Sequence, residues 1–555
     1  MGLRFSHLPA SGGRWLLPGF LAALAAGCGR GESSSPPPPP AARAAVPAAP
    51  APRPSGAPAA ASPGRPAERA EAERFFSGPV QTFELQLDER ALNSLRQEPR
   101  KPVAATLQVG SNRLERVAVR IKGAAGSTRP IDDRPALTLN FDKFHPGQSL
   151  AGLDKLHLNT SVQDPSRMSE ILCSDLYLRA GVPATRATHG VVRLNGRTLG
   201  LYVVKEGFDR RFLRRFFART DGNLYDGGFL QDIDSRLERD SGTGPDTQKD
   251  LQRLREACDE PDDSRRLARL EQVLDVERFL TYVALQVLTE DWDGYPLNHN
   301  NYRIYFDPGT ERAVFFPHGM DQMFERPGLP LLPGFSGRVA ERTLAIPAAR
   351  TRYLQRVASL LTNVFTEPPV MATFQRVVRR RDAVLGMIPG WERAEILGAT
   401  AALEQRLQRR LQNAGEQVAN QPVPARFDAA GHAALGRWIP RTEGGRQERV
   451  AGPGGQPALL LVSRGSWRTR LRLPAGRYVF EGRGQVRGVL GGEGLGLRLS
   501  GTQRTQQLRG DSGWQDLRFE FQCLEEREVE LVAELRSDAG EGWFETASLR
   551  LRRLP

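Results

Sequence analysis

The spacing of apolar residues divides this chain into regions of different secondary structure. Between about residues 75 and 225 the pattern is mixed, because runs of alternating apolar and polar residues are interrupted by helical periodicity. The runs predicted as strands are 82–87, 104–109, 116–122, 137–141, 190–194 and 198–204. Helices are predicted after Asp88 and over 166–179 and 209–217, and Asn195-Gly196 predicts a tight hairpin between the last two strands.

From residue 264 to 417 the pattern is mainly helical. A strongly apolar helix is predicted over 276–288, and strands over 302–306 and 313–316 follow it. Helices resume near residue 350, with breaks expected at Pro368-Pro369 and at Pro389.

From about residue 425 onward, short alternating runs are separated by Gly-rich turns, which predicts an all-β sandwich. This region resembles the jelly-roll accessory modules of secreted proteins, some of which bind carbohydrate. Trp467, Trp514 and Trp543 could stack on sugar rings, but filling the core of the sandwich is the favoured interpretation. The fold class predicted for the whole chain is therefore α+β, with a C-terminal β-sandwich.

The first residues have the features of an export signal. Arg4 and Arg14 precede an apolar run over 15–26, which is followed by Gly27-Cys28. The segment resembles a bacterial lipobox, so Cys28 is expected to be acylated and to anchor an exported protein in a membrane. An ordinary secretory signal with a chance cysteine is the alternative.

The next segment is rich in Ser, Pro, Ala, Gly and Arg and is expected to be a disordered spacer. The domain organisation predicted from these patterns is a signal peptide at 1–28, a Pro/Ala-rich linker at 29–71, a main domain at 72–422 and a β-sandwich at 423–555.

The charge and the cysteine content of the chain argue against two kinds of function, nucleic-acid binding and metal binding by cysteines. The formal net charge is +13 and the pI about 10.0, yet the basic residues are spread along the chain and only six of the 77 are lysine. Because no basic stripe is visible, nucleic acid is not expected as a partner. Besides Cys28, the cysteines are Cys173, Cys258 and Cys523, which lack metal-ligand spacing and allow at most one disulfide.

Acidic and amide residues follow the apolar helix in an order that suits phosphoryl transfer. Asp291 and Asp293 come directly after the helix, Asn301 precedes the strand pair and Asp321 follows it. In a phosphotransferase one carboxylate orients or deprotonates the acceptor hydroxyl, while an Asn and a second acid hold Mg²⁺. The same residue types also cap helices and form turns, so the spacing alone leaves a structural role open.

Several segments, in order, resemble the CotH family, whose fold is a diverged protein-kinase fold. The segments are Val119-Arg-Ile-Lys-Gly123, Asp164-Pro-Ser, 170–181, Gly181-Val-Pro183, Gly200-Leu-Tyr-Val-Val-Lys-Glu206, Gly222-Asn-Leu-Tyr225, 291–294 and Asn300-Asn-Tyr302. The resemblance covers roughly residues 80 to 330.

The resemblance implies roles for individual residues. Asp293 is expected to be the catalytic aspartate, Asn301 a metal ligand, and Glu206 part of the hinge beside the adenine. Glu170 takes the place of the helix-C glutamate, and Lys122-Gly123 opens the loop that covers the nucleotide. The implied cofactors are ATP and Mg²⁺ or Mn²⁺, and the implied partner is a protein substrate.

Two positions depart from the family pattern. Gly319 stands where members commonly have the first Asp of a Trp-Asp-x-Asp motif, which leaves Asp321 as the second acid. Arg134-Pro135-Ala136 stands where a Lys-Lys-Ser-like run is expected, so Arg134 or Lys122 is the candidate phosphate ligand. Two functions therefore stay open: an ATP-dependent kinase acting on Ser or Thr of a surface protein, and a catalytically inactive kinase-like scaffold that binds a surface partner.

Overall fold

A computed structural model of the protein describes residues 66–123 and 126–555. The predicted signal peptide, the acylation site Cys28 and most of the predicted linker lie outside these residues. A helix, α1 (Pro66–Ser77), begins inside the stretch predicted as linker. Its proline occupies the first turn, and the Ala, Glu and Arg residues that follow favour a helix.

The first seven strands form a closed barrel. They are β1 (Gln81–Gln86), β2 (Val103–Val109), β3 (Asn112–Lys122), β4 (Ala136–Asn140), β5 (Lys155–Asn159), β6 (Ala187–Leu194) and β7 (Arg197–Glu206). The order around the barrel is β1-β2-β3-β4-β5-β7-β6, and it closes because β1 pairs with β6 in parallel. The other neighbours are antiparallel. Apolar side chains from these strands, including Phe83 and Leu139, form one buried core.

Two helices accompany the barrel, α2 (Glu89–Gln97) and α3 (Ser169–Arg179). Asp88 caps α2 by accepting a hydrogen bond from the Ala91 amide, as the sequence predicts. The predicted hairpin is also present, with Asn195 and Gly196 at positive φ between β6 and β7.

The middle of the chain is mainly helical around a second core. Its helices are α4 (Arg210–Leu213), α5 (Lys249–Cys258), α6 (Asp263–Val273), α7 (Val276–Leu288), α8 (Tyr295–Asn298), α9 (Arg338–Ala345), α10 (Pro347–Asn363), α11 (Glu367–Asp382) and α12 (Gly390–Ala419), with a 3₁₀ turn at Leu385–Met387. The strands are β8 (Leu224–Asp226), β9 (Glu238–Ser241), β10 (Tyr302–Asp307) and β11 (Arg312–Pro317), in the sheet order β11-β10-β8-β9.

One prediction for this part is wrong in detail. The helix expected over 209–217 ends at Leu213, since the chain then turns to pack Phe217 against Tyr305 and Phe316. The helix breaks expected at the prolines are present. Helix α10 ends at Asn363, and Pro368 and Pro369 lie in the first turn of α11, where no amide proton is needed. Helix α12 begins directly after Pro389.

The last part of the chain is a β domain with its own core. Its strands are β12 (Val423–Pro424), β13 (His432–Ala434), β14 (Ile439–Thr442), β15 (Arg446–Ala451), β16 (Pro457–Leu473), β17 (Gly476–Leu490), β18 (Gly494–Leu499), β19 (Gln515–Cys523), β20 (Arg527–Glu545) and β21 (Arg550–Leu554), and a 3₁₀ turn lies at Thr546–Ser548. The long strands β16 and β20 pair antiparallel over most of their length. The expectation of a mixed α and β protein that ends in a β-rich domain is therefore confirmed at this level.

Cys173, Cys258 and Cys523 are all buried, free thiols. Within residues 66–123 and 126–555, no helix combines the length and the apolar character needed to cross a membrane.

A buried arginine joins α12 to the C-terminal end of α7. The Arg410 side chain is fully buried, and its Nη2 donates to Val287 O at 2.8 Å while Nη1 donates to Leu329 O at 2.7 Å. Its Nε lies 3.3 Å from Glu290 Oε1. Free carbonyls at a helix end need such donors when water is excluded. Arg410 therefore fixes the point where α7 ends and the next loop begins.

We expect Arg410→Met to lower the free energy of unfolding by about 3–5 kcal/mol, because it leaves buried carbonyls and Glu290 without a donor. Guanidinium denaturation followed by intrinsic fluorescence measures the change. Arg409→Met is the matched control, since Arg409 is the exposed neighbour on the same helix and its loss should cost less than about 0.5 kcal/mol. Equal effects of the two substitutions would contradict this role of Arg410.

Candidate active site

The loop between α7 and β10 carries the acidic and amide side chains that the sequence singles out. Tyr295, at the start of α8 in this loop, is fully buried and donates its hydroxyl to Asp232 at 2.9 Å. Ser336 donates its hydroxyl to Leu297 O, also in α8, at 2.7 Å. The loop is therefore held by segments far from it in sequence.

Asp293 is surrounded by side-chain amides from its own loop. It accepts hydrogen bonds from Asn298 Nδ2 at 2.6 Å, Asn300 Nδ2 at 3.1 Å and Asn301 Nδ2 at 2.8 Å. These bonds hold the carboxylate in one orientation. A fixed carboxylate of this kind can orient an incoming hydroxyl and accept its proton.

A buried ion pair connects the barrel to α3. Lys205 Nζ, on β7, lies 2.5 Å from Glu170 Oε1, on α3, and both side chains are almost completely buried. Asp164 fixes the start of α3, since its Oδ2 accepts from the amides of Met168 (2.9 Å) and Ser169 (2.8 Å). A buried ammonium and carboxylate are each costly unless paired, so this contact sets the position of α3 against the barrel.

Lys122, at the end of β3, belongs to the same charged cluster. Its Nζ donates to Asn159 Oδ1 at 2.7 Å. Burial and the nearby charge of Lys205 lower the pKa of Lys122 to about 8, while Glu170 and Asp321 oppose this shift. Two lysines and two acids therefore interact at the rim of the barrel.

A neutral histidine supports Lys205. Nδ1 of His318 lies 3.3 Å from Lys205 Nζ. Burial, together with the charges of Lys205 and Arg303, keeps the pKa of His318 well below its ordinary value. The unprotonated ring can accept a hydrogen bond from the ammonium and adds no positive charge.

Asp321 has no cationic partner among the residues that the structure describes. Among residues 66–123 and 126–555, no side chain donates a hydrogen bond to its carboxylate or forms an ion pair with it. Burial and repulsion from Glu170 and Asp164 raise the pKa of Asp321 to about 7. Such a carboxylate fits the vicinity of a metal ion, which would supply the missing positive charge.

Asp321 and Asn301 carry oxygen donors of the kind that Mg²⁺ or Mn²⁺ takes when it is bound to phosphates. Asn301 uses its amide N–H group on Asp293, which leaves Oδ1 as a second oxygen ligand. The described part of the chain contains no group of three or more His, Cys, Asp or Glu side chains arranged to hold a metal ion. Mg²⁺ needs no such group, because it commonly takes one or two protein ligands and completes its shell with phosphate and water oxygens.

Gly319 is required by the local geometry. Its φ is +57°, and a Cβ placed on it would lie 2.5 Å from Asn301 Oδ1. A side chain at this position would therefore displace the amide of Asn301. The glycine that departs from the family pattern is tied to the position of Asn301.

Arg134 and Glu206 are engaged in other contacts. Arg134 lies 2.5 Å from the buried Glu392 of α12 and packs over the rings of Trp391 and Tyr202. This placement gives no support to its expected role as a phosphate ligand, because it pairs with a carboxylate from another element. Glu206 follows Lys205 at the end of β7, and its buried carboxylate accepts from Arg186 and Arg215.

Gly123, Cys28 and three tryptophans are the other residues that the sequence singles out. Gly123 has a φ of +128° and leads into residues 124–125, which lie outside the described residues, as does Cys28. Trp467 and Trp543 are buried, and Trp514 keeps partial exposure with its Nε1 donating to Pro453 O. Carbohydrate binding by the β domain stays a prediction.

The sequence predictions omitted Lys205. A signal was available, since Lys205 is one of six lysines and directly follows the apolar run 199–204. A lysine at such a position needs a buried acid as its partner. The partner, 35 residues away, could not be identified from strand periodicity.

Two solved structures show limited similarity. The Helicobacter pylori proinflammatory kinase CtkA is 10% identical, with 54% of this chain and 96% of that chain covered and a TM-score of 0.23. The C-terminal family 22 carbohydrate binding module of Clostridium thermocellum Xyn10B is 16% identical, with 23% of this chain and 96% of that chain covered and a TM-score of 0.17.

Sequence relationships identify the family. Inner spore coat protein H of Bacillus subtilis is 24% identical over 307 residues, which cover 50% of this chain and 80% of that protein. Residues 119–380 match the family described as CotH kinase protein. These residues contain Lys122, Glu170, Lys205, Asp293, Asn301 and Asp321. Through this region the chain belongs to the CotH kinase family.

Proposed function

We propose that this protein is a kinase that transfers phosphate from ATP to Ser or Thr hydroxyls of a surface protein. The observation that carries the proposal is the buried Lys205–Glu170 pair beside Lys122 and Asp321. A lysine held by a glutamate of a neighbouring helix is the arrangement with which protein kinases position ATP phosphates. Membership of the CotH kinase family supports the same conclusion.

Each residue of the site has a proposed role. Lys205 and Lys122 bind phosphate oxygens, and Glu170 together with His318 orients Lys205. Asp293 orients the acceptor hydroxyl and takes its proton. Asn301 and Asp321 hold Mg²⁺ or Mn²⁺, which when bound neutralises charge on the phosphates.

The adenine is proposed to lie beside the segment that starts at Glu206. Because the carboxylate of Glu206 is occupied by two arginines, contacts to the base would come from backbone groups here. The role inferred for this residue is therefore to fix the segment that joins the barrel to α4.

Surface location is part of the proposal. It is supported by the signal-like segment that ends in Cys28 and by the similarity to a spore coat protein. Lipid attachment at Cys28 is the proposed link to a membrane.

A noncatalytic binding role is the alternative proposal. Two observations favour it: Gly319 replaces an acid common in the family, and three amides already satisfy Asp293. In that case the kinase-like domain would bind a surface partner without transferring phosphate.

Asp293→Asn should lower the rate of phosphate transfer by about 10²- to 10⁴-fold, because it removes the group that accepts the hydroxyl proton. Transfer of labelled phosphate from ATP to the chain itself or to casein measures the rate. Asp133→Asn is the control, since Asp133 is exposed. Wild-type transfer that persists unchanged in Asp293→Asn would contradict the assigned role, and absence of transfer by the wild type would favour the noncatalytic alternative.

Lys205→Met should destabilise the protein by about 3–5 kcal/mol, because it leaves Glu170 charged and unpaired in a buried position. Adding Glu170→Met should restore most of the stability, since two apolar side chains replace the ion pair. ATP affinity should fall at least about tenfold in both variants.

Chemical denaturation and ATP titration measure these two effects separately. Lys101→Met is the control, since Lys101 is exposed and paired only with the exposed Glu98. If the double variant recovers both stability and ATP affinity, Lys205 has no role in binding phosphate.

Gly319→Asp should not create a better metal site. A residue other than glycine at a φ of +57° costs about 1–2 kcal/mol, and its Cβ would displace Asn301. We expect a lower melting temperature and no gain in Mn²⁺-dependent phosphate transfer, with Gly319→Ala as the control for strain alone. A rise in transfer by Gly319→Asp over the wild type would show that the missing acid, and not the backbone geometry, is limiting.

A further inference from the structure

A groove of 340 Å³ lies on the same loop that carries Asp293. Its lining includes Leu230, Asp232, Asp234, His299, Arg338 and Glu341. It includes none of the charged residues assigned to ATP, so it is separate from the proposed nucleotide site. His299 belongs to the loop that runs from Asp293 to Asn301, which places the groove next to the catalytic aspartate along the chain.

Hydrogen bonds attach both walls of the groove to this loop and to the strand that follows it. On one side Asp232 accepts from the Tyr295 hydroxyl at 2.9 Å, and Tyr302 donates its hydroxyl to Gln231 O at 2.8 Å. On the other side the amide of Val339 donates to the Tyr295 hydroxyl at 2.9 Å. A ligand in the groove would therefore be held at a fixed position relative to the catalytic loop.

Leu230 lines the groove, and Phe229 precedes it in the chain; both side chains are exposed and apolar. Phe229 is 59% exposed and Leu230 is 50% exposed. Leu230 has a φ of +53°, a backbone conformation that is unfavourable for leucine. Backbone strain at Leu230, together with the exposed apolar surface of Phe229 and Leu230, is typical of a binding site.

We propose that this groove receives the polypeptide acceptor, with a large apolar side chain of the acceptor packed on Phe229 and Leu230. The proposal rests on the kinase function proposed above and names what determines its acceptor. A nucleic acid is disfavoured because the acids that line the groove (Asp232, Asp234 and Glu341) outnumber its arginines (Arg338 and Arg342), so the groove offers no net positive charge to phosphates. A sugar is disfavoured because leucine offers no flat face for stacking, whereas an apolar peptide side chain fits both Phe229 and Leu230.

Short synthetic peptides with a central serine, varied at one flanking position at a time, test the proposal on the full chain with ATP and Mn²⁺. We expect a preference of about tenfold in kcat/KM for Leu, Met or Phe over Ala at one flanking position. The Phe229→Ser/Leu230→Asn double variant should lose this preference through KM and keep its ATP affinity. Leu524→Ser, at a side chain that is 85% exposed in the β domain, should keep the preference.

Binding of the same peptides without ATP, measured by fluorescence anisotropy, separates the two proposals. Apolar-flanked peptides that bind the wild type and not the double variant support the groove even when no phosphate is transferred, and in that case the kinase function alone fails. The proposal for the groove is overturned when the wild type shows no preference in binding or transfer, or when the double variant keeps it.

Discussion

The buried Lys205–Glu170 pair is the contact on which the arrangement of the site depends. A buried lysine near the end of β7 would be unstable alone, and the same holds for the buried glutamate on α3. Because each needs the other, the pair fixes α3 against β7. It also brings Lys122, His318 and Asp321 into one electrostatic neighbourhood, as the shifted pKa values of these groups show.

The loop that carries Asp293 depends on groups from other elements in the same way. It has little regular structure beyond α8, and Glu290, His299 and Asn301 all have positive φ. Arg410 holds the start of the loop through Glu290 and the last carbonyls of α7, and Asp232 holds its middle through the Tyr295 hydroxyl. Strained residues gathered in one loop and held from outside are typical of functional sites, where a precise side-chain position matters more than local stability. The conformation of the loop thus connects the stability of α12 to the chemistry proposed for Asp293.

The sequence predicted those parts of the fold that depend on local signals. The cap at Asp88, the Asn195-Gly196 hairpin and the apolar helix over 276–288 each need only neighbouring residues, and all are present. Closure of the barrel was not predicted, because it depends on parallel pairing of β1 with β6, about a hundred residues away. Strand β5 was also missed. Its five residues alternate between polar and apolar, but they include only two apolar side chains, Leu156 and Leu158, which is a weak signal for a strand.

The same distinction between local signals and distant contacts applies to the residues of the site. Asp293, Asn301 and Glu170 were named through resemblance to a family, whereas the partner of Glu170 required knowledge of contacts across the fold. The sequence directed attention to Arg134 as a substitute for a lysine, but Arg134 pairs with Glu392, which lies 258 residues away. Pairing of buried charges is decided by three-dimensional proximity, and a single sequence gives no measure of it.

The central claim, that this site binds nucleotide and metal together, is tested most directly by thermal unfolding of the wild-type protein with and without ATP and Mn²⁺. Ligands that bind only the folded state raise the melting temperature. We expect ATP and Mn²⁺ together to raise the melting temperature of the wild type and not that of Asp321→Ala. No rise at millimolar ATP with either Mn²⁺ or Mg²⁺ would contradict it and leave a noncatalytic surface-binding protein as the better explanation.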